Sequence, residues 1–143
     1  MANPKVLLVD DEEDFREILS QRMQKRGLDT DEVGSGQAAL DKVAENNYDA
    51  IVLDLAMPGM DGIETLEKLL KLKSDLQVIV LTGQATVAKG VQAVKMGAAD
   101  FLEKPAEIES LVAKIAEAQQ KNIAAFEDNL NKKISDITKK KGW

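Results

Sequence analysis

Three short runs, residues 5–10 (KVLLVD), 49–54 (DAIVLD) and 77–82 (QVIVLT), are apolar almost without interruption. A strand with one wet face alternates apolar and polar side chains. An unbroken run instead fits a strand covered on both faces, as in a parallel sheet lying between layers of helix. Two further strand candidates fall at residues 28–33 and 99–103. Between the runs, apolar residues recur three or four apart, so that Phe15, Ile18, Leu19 and Met23 share one helical face, as do Ala39, Leu40 and Val43, then Ile63, Leu66 and Leu70, then Val87, Val91 and Val94. Gly27 follows a helix ending in Lys25 and Arg26, and Ser35 and Thr86 stand where side chains would cap helix N-termini. The alternation predicts five strands and five helices in βαβ units, with right-handed crossovers making one parallel sheet.

At 143 residues, 44% of them hydrophobic, the chain is the size of one globular domain. Its 25 acidic against 19 basic residues give a net charge of −6, which argues against general affinity for nucleic acid or anionic membranes. No basic-then-apolar opening segment and no membrane-length apolar run is present, so a cytoplasmic location is the expectation. Cysteine and histidine are both absent. Disulfides, thiol chemistry, a phosphohistidine carrier and an imidazole base are thereby excluded from this chain, and carboxylates are left to carry its chemistry.

In doubly wound sheets, ligands collect at the carboxyl ends of the strands. There the sequence puts Asp10 and Asp11 (first strand), Asp54 (third), Thr82 (fourth) and Lys104, just past the fifth. Three convergent carboxylates repel one another, and a hard dication such as Mg²⁺, or Mn²⁺, relieves that repulsion. A lysine and a threonine hydroxyl suit the oxygens of a phosphoryl group, and with no histidine or cysteine the nucleophile would be a carboxylate. Any one of these residues is ordinarily a turn or a cap. Five strand-end positions supplying this complementary set argue for a site.

The motifs VLLVDDE, SGQAAL, DAIVLDLAMPGMDG, VIVLTG and GAADFLEKP, in this order over roughly residues 5–118, closely resemble the receiver domain of bacterial response regulators, of which the chemotaxis regulator is the single-domain type. The resemblance implies a flavodoxin-like α/β fold with strand order 2-1-3-4-5. It implies that Asp54 accepts a phosphoryl group, that Asp11 binds Mg²⁺ directly with Asp10 helping, and that the backbone carbonyl of Ala56 is a further ligand. Thr82 and Lys104 would contact phosphoryl oxygens, and the Lys104–Pro105 bond would be cis. Phe101 matches the switch aromatic that turns inward with Thr82. The partners implied are a sensor histidine kinase or phosphotransfer protein, and a downstream effector or second copy on the face formed by helix 4, strand 5 and helix 5.

Two positions beside the site, Ala56 and Gln84, vary among such domains and tune phosphoryl lifetime. A small residue at 56 leaves the path of an attacking water unshielded. Gly34-Ser35-Gly36 lacks the third glycine of a dinucleotide fingerprint and reads as a helix-entry loop. Residues 1–118 are expected to form the receiver, with 119–143 as a helical extension or linker. Helical spacing persists through Ile123, Phe126, Leu130, Ile134 and Ile137, although Asp128, Asn129 and Asn131 favour a break. This tail, with six lysines and three acids, reads as a dimer-forming helix, a flap on its own domain, or a linker. Two rivals to a phosphorylated switch are a receiver that binds partners without phosphorylation and an aspartyl-nucleophile phosphatase. The adjacent Asp10-Asp11 departs from the Asp-x-Asp that the phosphatase requires.

Overall fold

The computed structural model describes residues 3–56, 61–83 and 87–140, the side chains of 136–140 aside. Thr86 and Gln84 lie outside the described residues. The chain alternates β1 (Lys5–Val9), α1 (Glu13–Lys25), β2 (Asp29–Val33), α2 (Gly36–Glu45), β3 (Ala50–Asp54), α3 (Gly62–Leu72), β4 (Val78–Thr82), α4 (Val87–Met96), β5 (Asp100–Glu103) and α5 (Ile108–Lys140). The five strands form one sheet in the order β2-β1-β3-β4-β5, and every neighbouring pair is parallel.

Successive side chains along a strand point to opposite faces, and the central strands bury both. Leu7 and Val9 of β1, with Ile51 and Leu53 of β3, face a core closed by Ala39 and Val43 of α2, Leu66 and Leu69 of α3, and Ala93 of α4. Val6 and Leu8, with Ala50 and Val52, face the opposite core, closed by Met23 of α1 and Leu111 and Ile115 of α5. The five residues of β3 and the five of β4 are all buried. Each such Leu or Ile contributes about 1.5–3 kcal/mol of transfer free energy, which is why β1, β3 and β4 carry the unbroken runs. The edge strand β2, DTDEV, buries only Val33.

Ser35 caps α2 through its side-chain oxygen, which accepts from the Ala38 amide at 3.1 Å. Gly27, at φ +85°, closes the turn after α1 in the left-handed region that glycine favours. The helical faces need two adjustments. In α4 the buried residues are Gly90 and Ala93, whereas Val91 and Val94 are 42% and 39% exposed. The reason is close approach: a Cβ on Gly90 would stand 2.8 Å from Phe101 Cδ2, so the helix turns its smallest residues to the sheet. In α1, Ile18 is half exposed and Ser20 takes the buried position, its hydroxyl 2.7 Å from Thr30 Oγ1.

The break expected near Asp128, Asn129 and Asn131 does not occur, and α5 runs as one helix of 33 residues. Those residues are exposed, so each costs only tenths of a kcal/mol in propensity, and no Gly or Pro interrupts the helix. Past the sheet, the Asn122 side chain donates to the Asp49 carbonyl at 3.0 Å. Ile123, Phe126, Leu130 and Ile134 remain more than a third exposed. Among the described residues no helix is long and apolar enough to cross a membrane.

Candidate functional site

Register decides which strand-end residues meet. Val9 pairs with Leu53, so Asp10, one step past β1, comes level with Asp54 at the end of β3. Leu81 pairs with Asp54, and Thr82 with Glu103, which brings Thr82 and then Lys104 to the same edge. The Lys104 amide donates to the Thr82 carbonyl at 2.6 Å, and the Lys104–Pro105 bond is cis.

The carboxylates of Asp10, Asp11 and Asp54 lie with one oxygen each within 4.8 Å of the others; Asp10 and Asp54 are buried and Asp11 is exposed. Lys104 Nζ is 3.3 Å from Asp54 Oδ2 and 3.6 Å from Asp10 Oδ2. The Asp54 Oδ1 accepts from the Ala56 amide at 3.0 Å, and Asp10 Oδ1 accepts from the Glu12 amide at 2.9 Å. Among the described residues, two buried side-chain oxygens have no hydrogen-bond partner, Asp10 Oδ2 and Thr82 Oγ1. Burial, with the charges of Asp54 and Asp11 adding to it, holds the Asp10 carboxyl above the ordinary carboxylate range, against the opposing pull of the Glu12 amide and the Lys104 ammonium.

A buried carboxylate oxygen with no hydrogen bond, beside two like charges and one lysine shared between two acids, is costly, and a hard cation lowers that cost by taking the oxygens as ligands. The donor set is all oxygen, which fits Mg²⁺ or Mn²⁺ better than a thiophilic metal. The residues present therefore fit a metal of this kind.

Three neighbours escaped the sequence reading. Arg16 donates to the Asp10 carbonyl at 2.7 Å and pairs with Glu32 at 3.2 Å, tying the first strand end to β2. Its trace in the sequence is a basic residue in a helix start that also carries Glu13, Asp14 and Glu17. Phe15, assigned to the helical core face, puts its ring centroid 4.6 Å from Lys104 Nζ. Gly90 of α4 lies against both Thr82 and Phe101, since a Cβ there would meet Thr82 Cγ2 at 2.9 Å. Phe101 itself is partly buried on the α2–α4 side of the sheet.

Fold and site together define a signalling receiver of the doubly wound α/β class. The family profile described as response regulator receiver domain matches residues 6–116, and the chain belongs to that family, whose general function is phosphorylation-based signalling. It is 34% identical over 128 residues to the uncharacterized transcriptional regulatory protein YkoG of Bacillus subtilis, covering 90% of this chain and 56% of YkoG. It is 33% identical over 127 residues to the C4-dicarboxylate transport transcriptional regulatory protein DctD of Rhizobium meliloti, covering 89% of this chain and 28% of DctD. The chain thus spans about half of the first relative and just over a quarter of the second. Among solved structures, the receiver domain of the Francisella response regulator 1452 superposes with TM-score 0.78 at 32% identity, covering 84% of this chain and 99% of that one.

Proposed function

We propose that Asp54 accepts a phosphoryl group from a phosphohistidine of a sensor kinase or phosphotransfer protein, and that the resulting aspartyl phosphate switches the domain's affinity for its partners. The observation that carries this reading is the pair of buried oxygens that make no hydrogen bond among the described residues, Asp10 Oδ2 and Thr82 Oγ1, at the ends of the two strands that flank β3. With Lys104 beside them they form a space suited to one cation and one tetrahedral anion. The Asp10, Asp11 and Asp54 carboxylates and the Ala56 carbonyl would hold the metal. When bound, a dication neutralises the carboxylates and draws charge from phosphoryl oxygens.

The Ala56 amide fixes Oδ1 of Asp54, which leaves Oδ2 as the attacking oxygen. That oxygen bonds to phosphorus as the phosphorus–nitrogen bond of the donor breaks, and the imidazole leaves with the electron pair and takes up a proton. Lys104, already 3.3 Å from Oδ2, pairs with the charge on the transferred group, and the Thr82 hydroxyl gains the acceptor it lacks. Thr82 moving toward the phosphoryl group leaves room for Phe101 to follow, and the change reaches the α4–β5–α5 face, where an effector or second copy docks. Water attack on phosphorus later breaks the bond to Oδ2, which restores the carboxylate and releases inorganic phosphate. Residues 1–118 form the receiving unit and 119–143 extend it. We place the chain in the cytoplasm with its kinase, without direct nucleic-acid contact.

The test is intact mass after incubation with Mg²⁺ and acetyl phosphate, followed by borohydride reduction, which converts an aspartyl phosphate to homoserine. One metal-dependent phosphoryl adduct, with homoserine at position 54, is expected. Homoserine at another position, or no adduct from either acetyl phosphate or a phosphorylated kinase, sinks the proposal. The small side chain at Ala56 leaves the adduct open to water, so Ala56→Arg is expected to lengthen its half-life severalfold. A half-life unchanged in a time course of the isolated adduct would count against shielding.

A further inference from the structure

We propose that Phe15 is a positioning residue for Lys104: its ring face holds the ammonium against the Asp10 and Asp54 carboxylates, so that the cation is in place when the phosphoryl group arrives. The inference rests on the role given above to Lys104 and Asp54.

Three observations support it. The Phe15 centroid lies 4.6 Å from Lys104 Nζ, well inside the range over which an aromatic quadrupole attracts a cation. The same ammonium is 3.3 and 3.6 Å from Asp54 Oδ2 and Asp10 Oδ2, so it is held by the ring as well as by the two acids. Beside it lies a cleft of ≈ 160 Å³ whose walls include Leu19, Arg22, Lys104, Pro105 and Leu111 as well as Phe15 itself. A flexible lysine next to empty space is not fixed by packing. Without the ring, the two acids alone oppose the rotamer entropy that its four-carbon stem gains by entering that cleft, and the ammonium spends less of its time against them.

Phe15 also packs, partly buried, on the core shared by α1 and α5, a contact that an aliphatic residue there would keep in part. What an aliphatic residue lacks is the negative ring face. The two roles therefore separate under fluorination, which reverses the quadrupole while leaving the ring nearly the same size.

The experiment incorporates phenylalanine, tyrosine, leucine or pentafluorophenylalanine at position 15 of the full chain. It measures the rate of adduct formation from acetyl phosphate with Mg²⁺, the melting temperature, and the NMR shift of the Lys104 ε-methylene protons. Tyrosine is expected to keep the native rate, while leucine and pentafluorophenylalanine slow it about fivefold at nearly unchanged melting temperature. The ε-methylene protons should lie upfield of those of the other lysines in the native chain and return to the common position in Phe15→Leu. A normal native adduct whose rate is flat across the series overturns the inference, as does a native Lys104 without the ring-current shift. No adduct in the native chain overturns instead the role given to Asp54, and the Lys104 shift then decides by itself whether Phe15 holds the lysine.

Discussion

Asp54→Asn is expected to form no phosphoryl adduct under conditions that convert the native chain, and to melt several degrees above it in metal-free buffer. Loss of the adduct follows because an amide oxygen is a far weaker nucleophile than a carboxylate. The gain in stability follows from electrostatics. At an effective dielectric of 20, charges about 4.8 Å apart repel by about 3.5 kcal/mol, while an ion pair at 3.3 Å attracts by about 5 kcal/mol. Removing the Asp54 charge deletes two repulsions and one attraction, and it also removes the desolvation of a carboxylate that is only 3% exposed. Asn retains Oδ1 for the Ala56 amide. With solvent screening at exposed Asp11, the net gain is about 1–2 kcal/mol, or about 2–8 °C for a chain of this size.

The pH dependence carries a definite sign. The Asp10 carboxyl, raised above its ordinary value of 3.8, binds its proton more tightly in the folded chain than in the unfolded one. Its ionisation therefore costs stability as pH rises from about 3.8 through the raised value, and the cost is constant above that. Metal-free melts from pH 7 downward should show the native chain and Asp54→Asn converging as Asp10 takes up its proton. Mg²⁺ at pH 7 should raise the native melting temperature more than that of the variant. A variant that melts lower than the native chain without metal would refute the account of the cluster as mutually repelling.

Gly62→Ala is expected to be the most damaging single methyl in the described structure. A Cβ at Gly62 would lie 2.4 Å from Leu55 Cα and 2.8 Å from the Leu55 carbonyl oxygen. Both obstacles are backbone, so relief requires moving either the end of β3 or the start of α3. The first is held by the Leu55 amide on the Leu81 carbonyl, and the second by the Asp61 side chain, which accepts from the Ile63 amide at 3.0 Å. Overpacking of this kind costs about 3 kcal/mol or more, a large part of the stability of a single domain. Urea denaturation should show it as a lowered midpoint at unchanged slope. Leu55 is bonded to Asp54, so adduct formation should slow as well. Gly83→Ala is the control: a Cβ there meets nothing within 4 Å among the described residues, and its stability should stay within about 0.5 kcal/mol of native. Equal midpoints for the two variants would refute the close approach.

The parts legible in the sequence were those written in hydrophobicity and at strand ends. β1, β3 and β4 announce themselves because burial on both faces leaves no place for a polar residue, and their last residues then fall at one edge whatever the lateral order. Asp10, Asp54, Thr82 and Lys104 could thus be proposed as neighbours before any register was known. Phe15 and Arg16 could not, because a helix residue's contact with another strand's lysine or carbonyl depends on the angle at which α1 crosses the sheet. Gly62 and Gly90 were illegible for a related reason. Glycine in a helix ordinarily signals weakness, and only the close approach of α3 to Leu55 and of α4 to Thr82 and Phe101 shows it to be a requirement. The long α5 was open to view, since helical spacing continues past Ala118 without Gly or Pro; what failed was the break expected at Asp128, Asn129 and Asn131, because exposed poor helix formers cost only tenths of a kcal/mol each.

That helix also has a mechanical consequence. At 1.5 Å per residue, α5 is about 50 Å long, and its residues beyond Ala118, the last to pack in the core, extend about 33 Å, with Asn122 still tied to the Asp49 carbonyl. It begins four residues after Lys104. A tilt of about 5° at its seated end, smaller than many side-chain adjustments produce, carries the far turns through about 3 Å. That travel is comparable to the rise of two residues, so the helix is a lever arm that magnifies small rearrangements near Lys104 into displacements large enough to make or break a contact.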